Sequence, residues 1–300
     1  LLADLPLEEK VISITNKSPI ICIEEEATLE NVSKIINDNH ILNLPIVDTD
    51  NHLINVFTYD NLERNPKKDN PVFIMAGGFG TRLRPLTDNC PKPMLKIGKL
   101  PILEHTLNRF IENGFHKFYF STHYLAEQIR DYFGDGSKWG VSIGYIHEEQ
   151  PLGTGGALGL LPKDEIKLPM IVINGDVMTK INFGHLVDFH TERKSIATIC
   201  VREYVHNVPF GVIGIDGYYV QSMIEKPSHR SFINAGIYVL DPDVVKAVPF
   251  DKKVDLPTVL QGYMDQGEKV SSFPIHEYWL DVGRIADFEL AQRDVASGMY

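Results

Sequence analysis

Cysteine is scarce in this chain of 300 residues: Cys22, Cys90 and Cys200 lie far apart and form no CxxC pair. The odd number speaks against a disulfide framework and predicts buried or incidental thiols in a reduced, cytoplasmic setting. No apolar run reaches the roughly 18 residues that a membrane-spanning helix needs, and no charged, apolar, small-residue leader opens the chain. No membrane partner is therefore expected. Basic charge is also short, with 29 Lys and Arg against 40 Asp and Glu and a net charge of −11. That argues against nucleic acid as the partner while leaving room for a local basic site. The 11 histidines show no HxH or HxxxH spacing, and His123 and His147 read as structural. What is present is ordinary: 43% apolar and 23% charged residues, enough for one large α/β domain and a small one.

The small unit comes first. "PIICIEE" reads as a strand, and "ATLENVSKIINDNH" as an amphipathic helix with Leu29, Val32, Ile35 and Ile36 on one face. "NLPIVDTDNHLINVFTY" reads as two strands around an Asp-Asn turn. The polar "ERNPKKDNP" has no apolar period and reads as a linker. Domain boundaries are set at 12–65 for this unit, 66–71 for the linker and 72–300 for the large domain. From residue 72 onward, short β-rich runs alternate with helical periods. This alternation predicts a mostly parallel, Rossmann-like sheet flanked by helices, with ligands at the carboxyl ends of its strands.

The strand-like "VFIM" closes on "AGGFGTRLRPLT". Glycine-rich backbone leaves amides free to point at phosphate, and arginine adds a bidentate charged fork. A P-loop is excluded because no Gly-Lys-Ser/Thr follows, and the dinucleotide fingerprint fails where Leu83 replaces its third glycine. That failure also disfavours a nucleotide-dependent oxidoreductase. Further on, "PKP" places Lys92 between two prolines, which predicts a lysine held on stiff, extended backbone.

Together "GGFGTRLRPLT" and "PKPML" resemble the signature of the sugar-1-phosphate nucleotidyltransferases, the nucleotide-sugar pyrophosphorylases. The likeness continues in order through "EEQPLGTGGAL", "INGDV", "IEKP", "NAGIYVL" and "YWLDVG", over about residues 72–298. It implies a fold of the nucleotide-diphospho-sugar transferase type. It also implies attack by a sugar-1-phosphate oxygen on the α-phosphorus of an NTP, with pyrophosphate leaving. Catalysis would then be chiefly positioning and charge neutralisation. By this resemblance Gly77, Gly78, Gly80 and Thr81 wrap the nucleotide, and Gly153 lies in the segment beneath the base. Arg82 holds the departing phosphates and Lys92 meets the charge building at the α-phosphate. Asp176 and Asp281 approach one Mg²⁺, an ion that favours one or two carboxylates. Glu225, Lys226, Asn234 and the backbone at Gly211 contact the hexose-1-phosphate, and Asn174 faces the same cleft. Arg84 is left as a surface residue or a phosphate contact.

By the same resemblance Glu148 stands where the edge of the base is read. Guanine presents adjacent N1–H and N2–H donors that a carboxylate accepts, whereas uracil and thymine turn carbonyls toward it. GTP is thus favoured over UTP or dTTP, unless backbone amides read the base and Glu148 is a solvated charge.

The small unit resembles a CBS motif around "LPIVD", and residues 1–11 resemble the closing stretch of a preceding one. Since these motifs pair, the natural chain is expected to extend further N-terminally. Such pairs often bind adenine nucleotides. Here Asn55 and Asn61 replace the usual glycine and aspartate, which favours a packing or homodimer role instead. The fusion resembles guanylyltransferases for glucosamine-1-phosphate or mannose-1-phosphate. A second reading, a CBS-based nucleotide sensor with an inactive transferase half, is disfavoured because Arg82, Lys92, Asp176 and Asp281 are all present.

Overall fold

The computed structural model describes residues 18–58 and 67–300. The motif end expected over residues 1–11, and Asn61, lie outside the described residues. Contacts divide the chain into two units, Leu1–Pro66 and Lys67–Tyr300.

In the first unit, β1 (Cys22–Ile23) precedes the helix Leu29–Asn39, followed by β2 (Asn43–Val47) and β3 (Leu53–Thr58). β1 runs parallel to β2, and β2 antiparallel to β3. Val32 and Ile36, one helical turn apart, are buried with Cys22, Leu44 and Ile46. The turn between β2 and β3 is held by the Asp48 carboxylate, which accepts the Asp50 and His52 amides at 3.0 and 2.8 Å.

The second unit starts within the stretch read as a linker. The Lys68 amide donates to Gly114 O at 2.9 Å, and Asp69 pairs with Lys117 at 2.9 Å. Then come β4 (Val72–Met75), a small pair β5 (Lys96–Ile97) and β6 (Leu100–Pro101), β7 (Lys117–Thr122) and β8 (Ser142–His147). β9 (Met170–Asn174), β10 (Val177–Thr179), β11 (Ala197–Asn207), β12 (Val212–Asp216) and β13 (Tyr219–Ile224) follow. β14 (Ser228–Leu240), β15 (Val270–Pro274) and β16 (Trp279–Asp281) complete the set. Among the described residues the main sheet has seven strands in the order β15-β11-β14-β9-β4-β7-β8. Its pairs are parallel except at β14, which runs antiparallel to both β11 and β9.

Strand alternation builds the two layers. Val72, Ile74, Ile171 and Ile173 face one core with Leu107, Phe110 and Leu186 from the helices Ile102–Glu112 and Phe183–Arg193. Phe73, Val172 and Tyr238 face the other core, with Leu158, Val244 and Leu256. The sheet is thus covered on both faces, and its near-continuous apolar strands are those such burial requires. No helix among the described residues is long and apolar enough to cross a membrane.

Candidate active site

The glycine loop leaves the end of β4. Gly80 has φ +62°, and a Cβ there would meet Thr87 Cγ2 at 2.9 Å and Lys92 Cβ at 3.0 Å. The Thr87 hydroxyl donates to Gly80 O at 2.8 Å and closes the fold-back. Gly80 therefore serves close packing against Lys92. Gly77 leaves room for Glu148 Oε1, which would lie 3.0 Å from its Cβ, whereas Gly78 has open space before it. Thr81 and Arg82 sit in a 3₁₀ turn, Thr81–Leu83, anchored by buried Leu83.

Lys92 departs from its expected backbone. Pro91 is extended, but Lys92 opens a 3₁₀ turn, Lys92–Met94. Bonds from Met94 N to Pro91 O (2.8 Å) and from Leu95 N to Lys92 O (3.1 Å) set that turn. Pro93, which has no N–H to lose, occupies its second position. The lysine is stiffened by a turn and by burial at 8% exposure.

Its ammonium bonds to the carboxylate of Asp176. Asp176 follows β9 and precedes β10, and β10 pairs with β16 so that Val177 stands opposite Asp281. The Val282 amide donates to Asp176 O at 3.0 Å. Two aspartates far apart in the chain thereby become neighbours. Burial, and then the charge of Asp176, push the Asp281 carboxyl up to about 6, with Lys92 and Arg82 pulling the other way. A Cβ on Gly283 would meet Asp281 Oδ1 at 3.4 Å and Arg82 Nη1 and Asp287 Oδ2 at 3.7 Å each. Arg82 is thus drawn to this acidic corner.

The pair fits a small divalent cation. Oδ1 of Asp176 and Oδ1 of Asp281 are both buried without a hydrogen-bond partner, an arrangement that costs free energy unless a cation answers it. Among the described residues no cluster of three or more His, Cys, Asp or Glu forms. Two hard oxygen ligands are what Mg²⁺ uses when phosphates and waters complete its shell.

Beside this corner opens a cavity of about 310 Å³ lined by Gly77, Gly78, Lys92, Glu148, Gly153, Asn174 and Asp176. Glu148 is buried, at 6% exposure, and its Oε2 accepts the Leu152 amide at 3.0 Å. That bond holds the carboxylate in place, and each of its oxygens keeps acceptor capacity toward the cavity. His123 packs against this wall: its Nδ1 lies 2.6 Å from Glu148 O, and its ring meets Phe79 edge-on at 5.1 Å.

The remaining expected residues stand elsewhere. Asn234 lies inside β14 and does not line the cavity. Its amide donates to Tyr238 Oη at 2.6 Å and accepts the Gly236 amide at 2.9 Å. Gly236 (φ +70°) is where Asn174 approaches, since a Cβ there would fall 2.5 Å from Asn174 Nδ2. Gly211, Glu225 and Lys226 stand together, with Glu225 Oε2 3.0 Å from a Gly211 Cβ position, but none lines the cavity. Glu225 and Lys226 are 77% and 69% exposed. Arg84 pairs with Asp88 at 3.4 Å and is a surface residue.

Sequence reasoning missed Phe79, Ser121, Thr154 and Asp255, which also line the cavity. Phe79 was legible as an aromatic inside the glycine loop. Asp255 carried no signal beyond that of a helix start.

Comparison with known proteins gives consistent results. The pattern of the Nucleotidyl transferase family matches residues 72–298, and that of the CBS domain residues 11–66. Mannose-1-phosphate guanylyltransferase of Mycobacterium tuberculosis is 32% identical over 75% of this chain and 64% of its own length. UTP–glucose-1-phosphate uridylyltransferase of Synechocystis is 30% identical over 75% of the chain and 63% of its own. The chain thus spans about three fifths of the length of these curated relatives. The crystal structure of HddC from Yersinia pseudotuberculosis complexed with GMP-PN superposes with a TM-score of 0.59 at 28% identity, covering 75% of this chain and 99% of that one.

Proposed function

The chain belongs to the nucleotidyl transferase family, and from that membership and the geometry of its site we propose that it transfers a nucleotidyl group from an NTP to a hexose-1-phosphate. The sugar-phosphate oxygen forms a bond to the α-phosphorus, the α–β bridging P–O bond breaks, and pyrophosphate leaves with the electron pair. The observation that carries this reading is the convergence of Lys92, Asp176, Asp281 and Arg82 beside the cavity that Glu148 lines.

In this account Lys92 neutralises charge at the α-phosphate, and Arg82 does so for the departing phosphates. The Gly77–Gly78 backbone, unobstructed at Gly78, approaches the nucleotide closely. Asp176 and Asp281 would hold Mg²⁺. When bound, that ion neutralises phosphate charge and fixes the α-phosphate against the incoming oxygen. Lys92 is positioned by Asp176, so one carboxylate orients both the cation and the lysine.

GTP is the preferred donor in this reading. Glu148 Oε1 accepts one guanine N–H, and the M. tuberculosis relative is named for guanylyl transfer to mannose-1-phosphate. A uridylyl reading has one support, the Synechocystis relative. Against it, a carboxylate at the base edge opposes the uracil carbonyls.

The test is pyrophosphate release with Mg²⁺, crossing GTP, UTP, dTTP, ATP and CTP against the 1-phosphates of mannose, glucose, glucosamine and N-acetylglucosamine. Release in the GTP row supports the proposal, and release in the UTP or dTTP row alone corrects the base. Silence from folded protein in every row overturns it.

A further inference from the structure

Asp255 immediately precedes the helix Leu256–Asp265, the position where an aspartate ordinarily caps the first free amides. Its side chain makes no such bond. The helix start is satisfied by other means: the Leu256 amide donates to the Thr154 hydroxyl at 3.0 Å. Pro257 has no N–H, and the Thr258 amide donates to the Asp255 carbonyl at 2.9 Å. The carboxylate is released from capping and turned into the cavity. There Oδ1 stands 3.4 Å from the Thr154 amide, and Asp255 lines the wall with Gly153 and Thr154.

The backbone is shaped to admit it. Gly153 has φ +78°, and a Cβ there would fall 2.7 Å from Asp255 Oδ1 and 2.8 Å from Val254 O. The Gly155 and Gly156 amides both donate to Val254 O, at 2.8 and 3.1 Å, and Val254 N returns a 2.8 Å bond to Leu152 O. The segment carrying Asp255 is thus fastened across the glycine stretch, and its exposed carboxylate stands on the wall of the cavity.

The ligand chemistry follows from what this group accepts. A carboxylate repels phosphate, so it does not serve the triphosphate. It is not among the charges acting on Asp281, which are Asp176, Lys92, Arg82 and Asp287. With Oδ1 near the Thr154 amide, Oδ2 is left to accept from neutral donors, and sugar hydroxyls are the donors both substrates carry. We propose that Asp255 is a substrate-binding residue that accepts hydrogen bonds from adjacent ring hydroxyls, those of the nucleotide ribose or of the hexose. This rests on the nucleotidyl-transfer reading for the identity of the substrates.

The experiment is calorimetric titration of the wild-type chain, Asp255→Asn and Asp255→Ala with GTP, 2′-deoxy-GTP, 3′-deoxy-GTP and ITP. A parallel arm uses mannose-1-phosphate and its 2- and 3-deoxy analogues. Asparagine keeps an acceptor for the Thr154 amide while removing charge, and thermal unfolding checks that each variant is folded. The wild type should prefer the hydroxylated ligand over one deoxy analogue about tenfold. Asparagine should weaken that preference, and alanine should erase it. Loss in the GTP arm assigns the ribose, and loss in the mannose arm assigns the hexose. A uniform fall for every ligand, a change confined to GTP against ITP, or no change in either arm overturns the proposal. Because binding is read directly, lost hydroxyl preference in a chain that forms no nucleotide sugar would sink the transfer reading alone.

Discussion

The Lys92 ammonium and the Asp176 carboxylate form an ion pair across 84 residues of chain, with side chains only 10% and 20% exposed. This contact joins the loop after β4 to the end of β9, and it leaves the neighbouring Asp281 Oδ1 buried and unanswered.

Lys92→Met removes the ammonium bonded to Asp176 and leaves two buried carboxylates facing each other. Breaking such a pair costs about 3 kcal/mol, so thermal unfolding should shift clearly downward. Added Mg²⁺ should raise the melting temperature of the variant more than that of the wild type, because a bound cation stabilises the state that holds it. Turnover should fall by roughly a hundredfold or more and stay low with Mg²⁺. An Mg²⁺ response no larger than the wild type's would place the cation elsewhere.

Gly80→Ala forces a Cβ into the left-handed region and against Thr87 and Lys92. The backbone term alone is about 1–2 kcal/mol, readable by denaturant unfolding. Since the Cβ presses on Lys92, kcat should drop more than stability explains. A variant with wild-type kcat would show that this fold-back does not position the lysine.

Glu148→Gln keeps an oxygen for the Leu152 amide and removes the charge from the base edge. The ratio of kcat/KM for GTP over UTP should fall about tenfold. An unchanged ratio would assign base reading to backbone amides.

His190 gives the fold an acid-sensitive point away from the site. It is 3% exposed, its Nδ1 lies 2.9 Å from Thr198 Oγ1, and burial lowers its pKa below the ordinary 6.5 against a smaller opposing pull from Asp241. Below pH 6.5 the unfolded chain takes up a proton that the folded histidine refuses, so stability falls as pH drops from there toward the folded value. Urea unfolding at stepwise lower pH should show this slope, and His190→Gln should flatten it. Parallel slopes would remove His190 from the account.

The parallel part of the sheet was legible because β4 and β9 are short, mostly apolar runs leading into glycine, while helices such as Ile102–Glu112 carry buried apolar residues one turn apart. The glycine loop and Asp176 were legible because each follows such a run. What no local pattern carries is pairing between distant segments. The ladder of β10 with β16, which makes neighbours of Asp176 and Asp281, is specified by non-local packing. The backbone at Lys92 was misread because flanking prolines read as extended while the chain closes a 3₁₀ turn. Asp255 stayed hidden behind a helix start that Thr154 completes from another segment.

The most direct test of the central claim is phosphorus NMR of the chain incubated with GTP, mannose-1-phosphate and Mg²⁺. The account predicts paired diphosphate signals of a GDP-sugar growing together with pyrophosphate, absent when EDTA replaces the metal and absent in Asp281→Asn. Inorganic phosphate or GMP appearing without a sugar diphosphate would make the chain a hydrolase. Unchanged spectra with every NTP and sugar-1-phosphate would contradict transfer altogether.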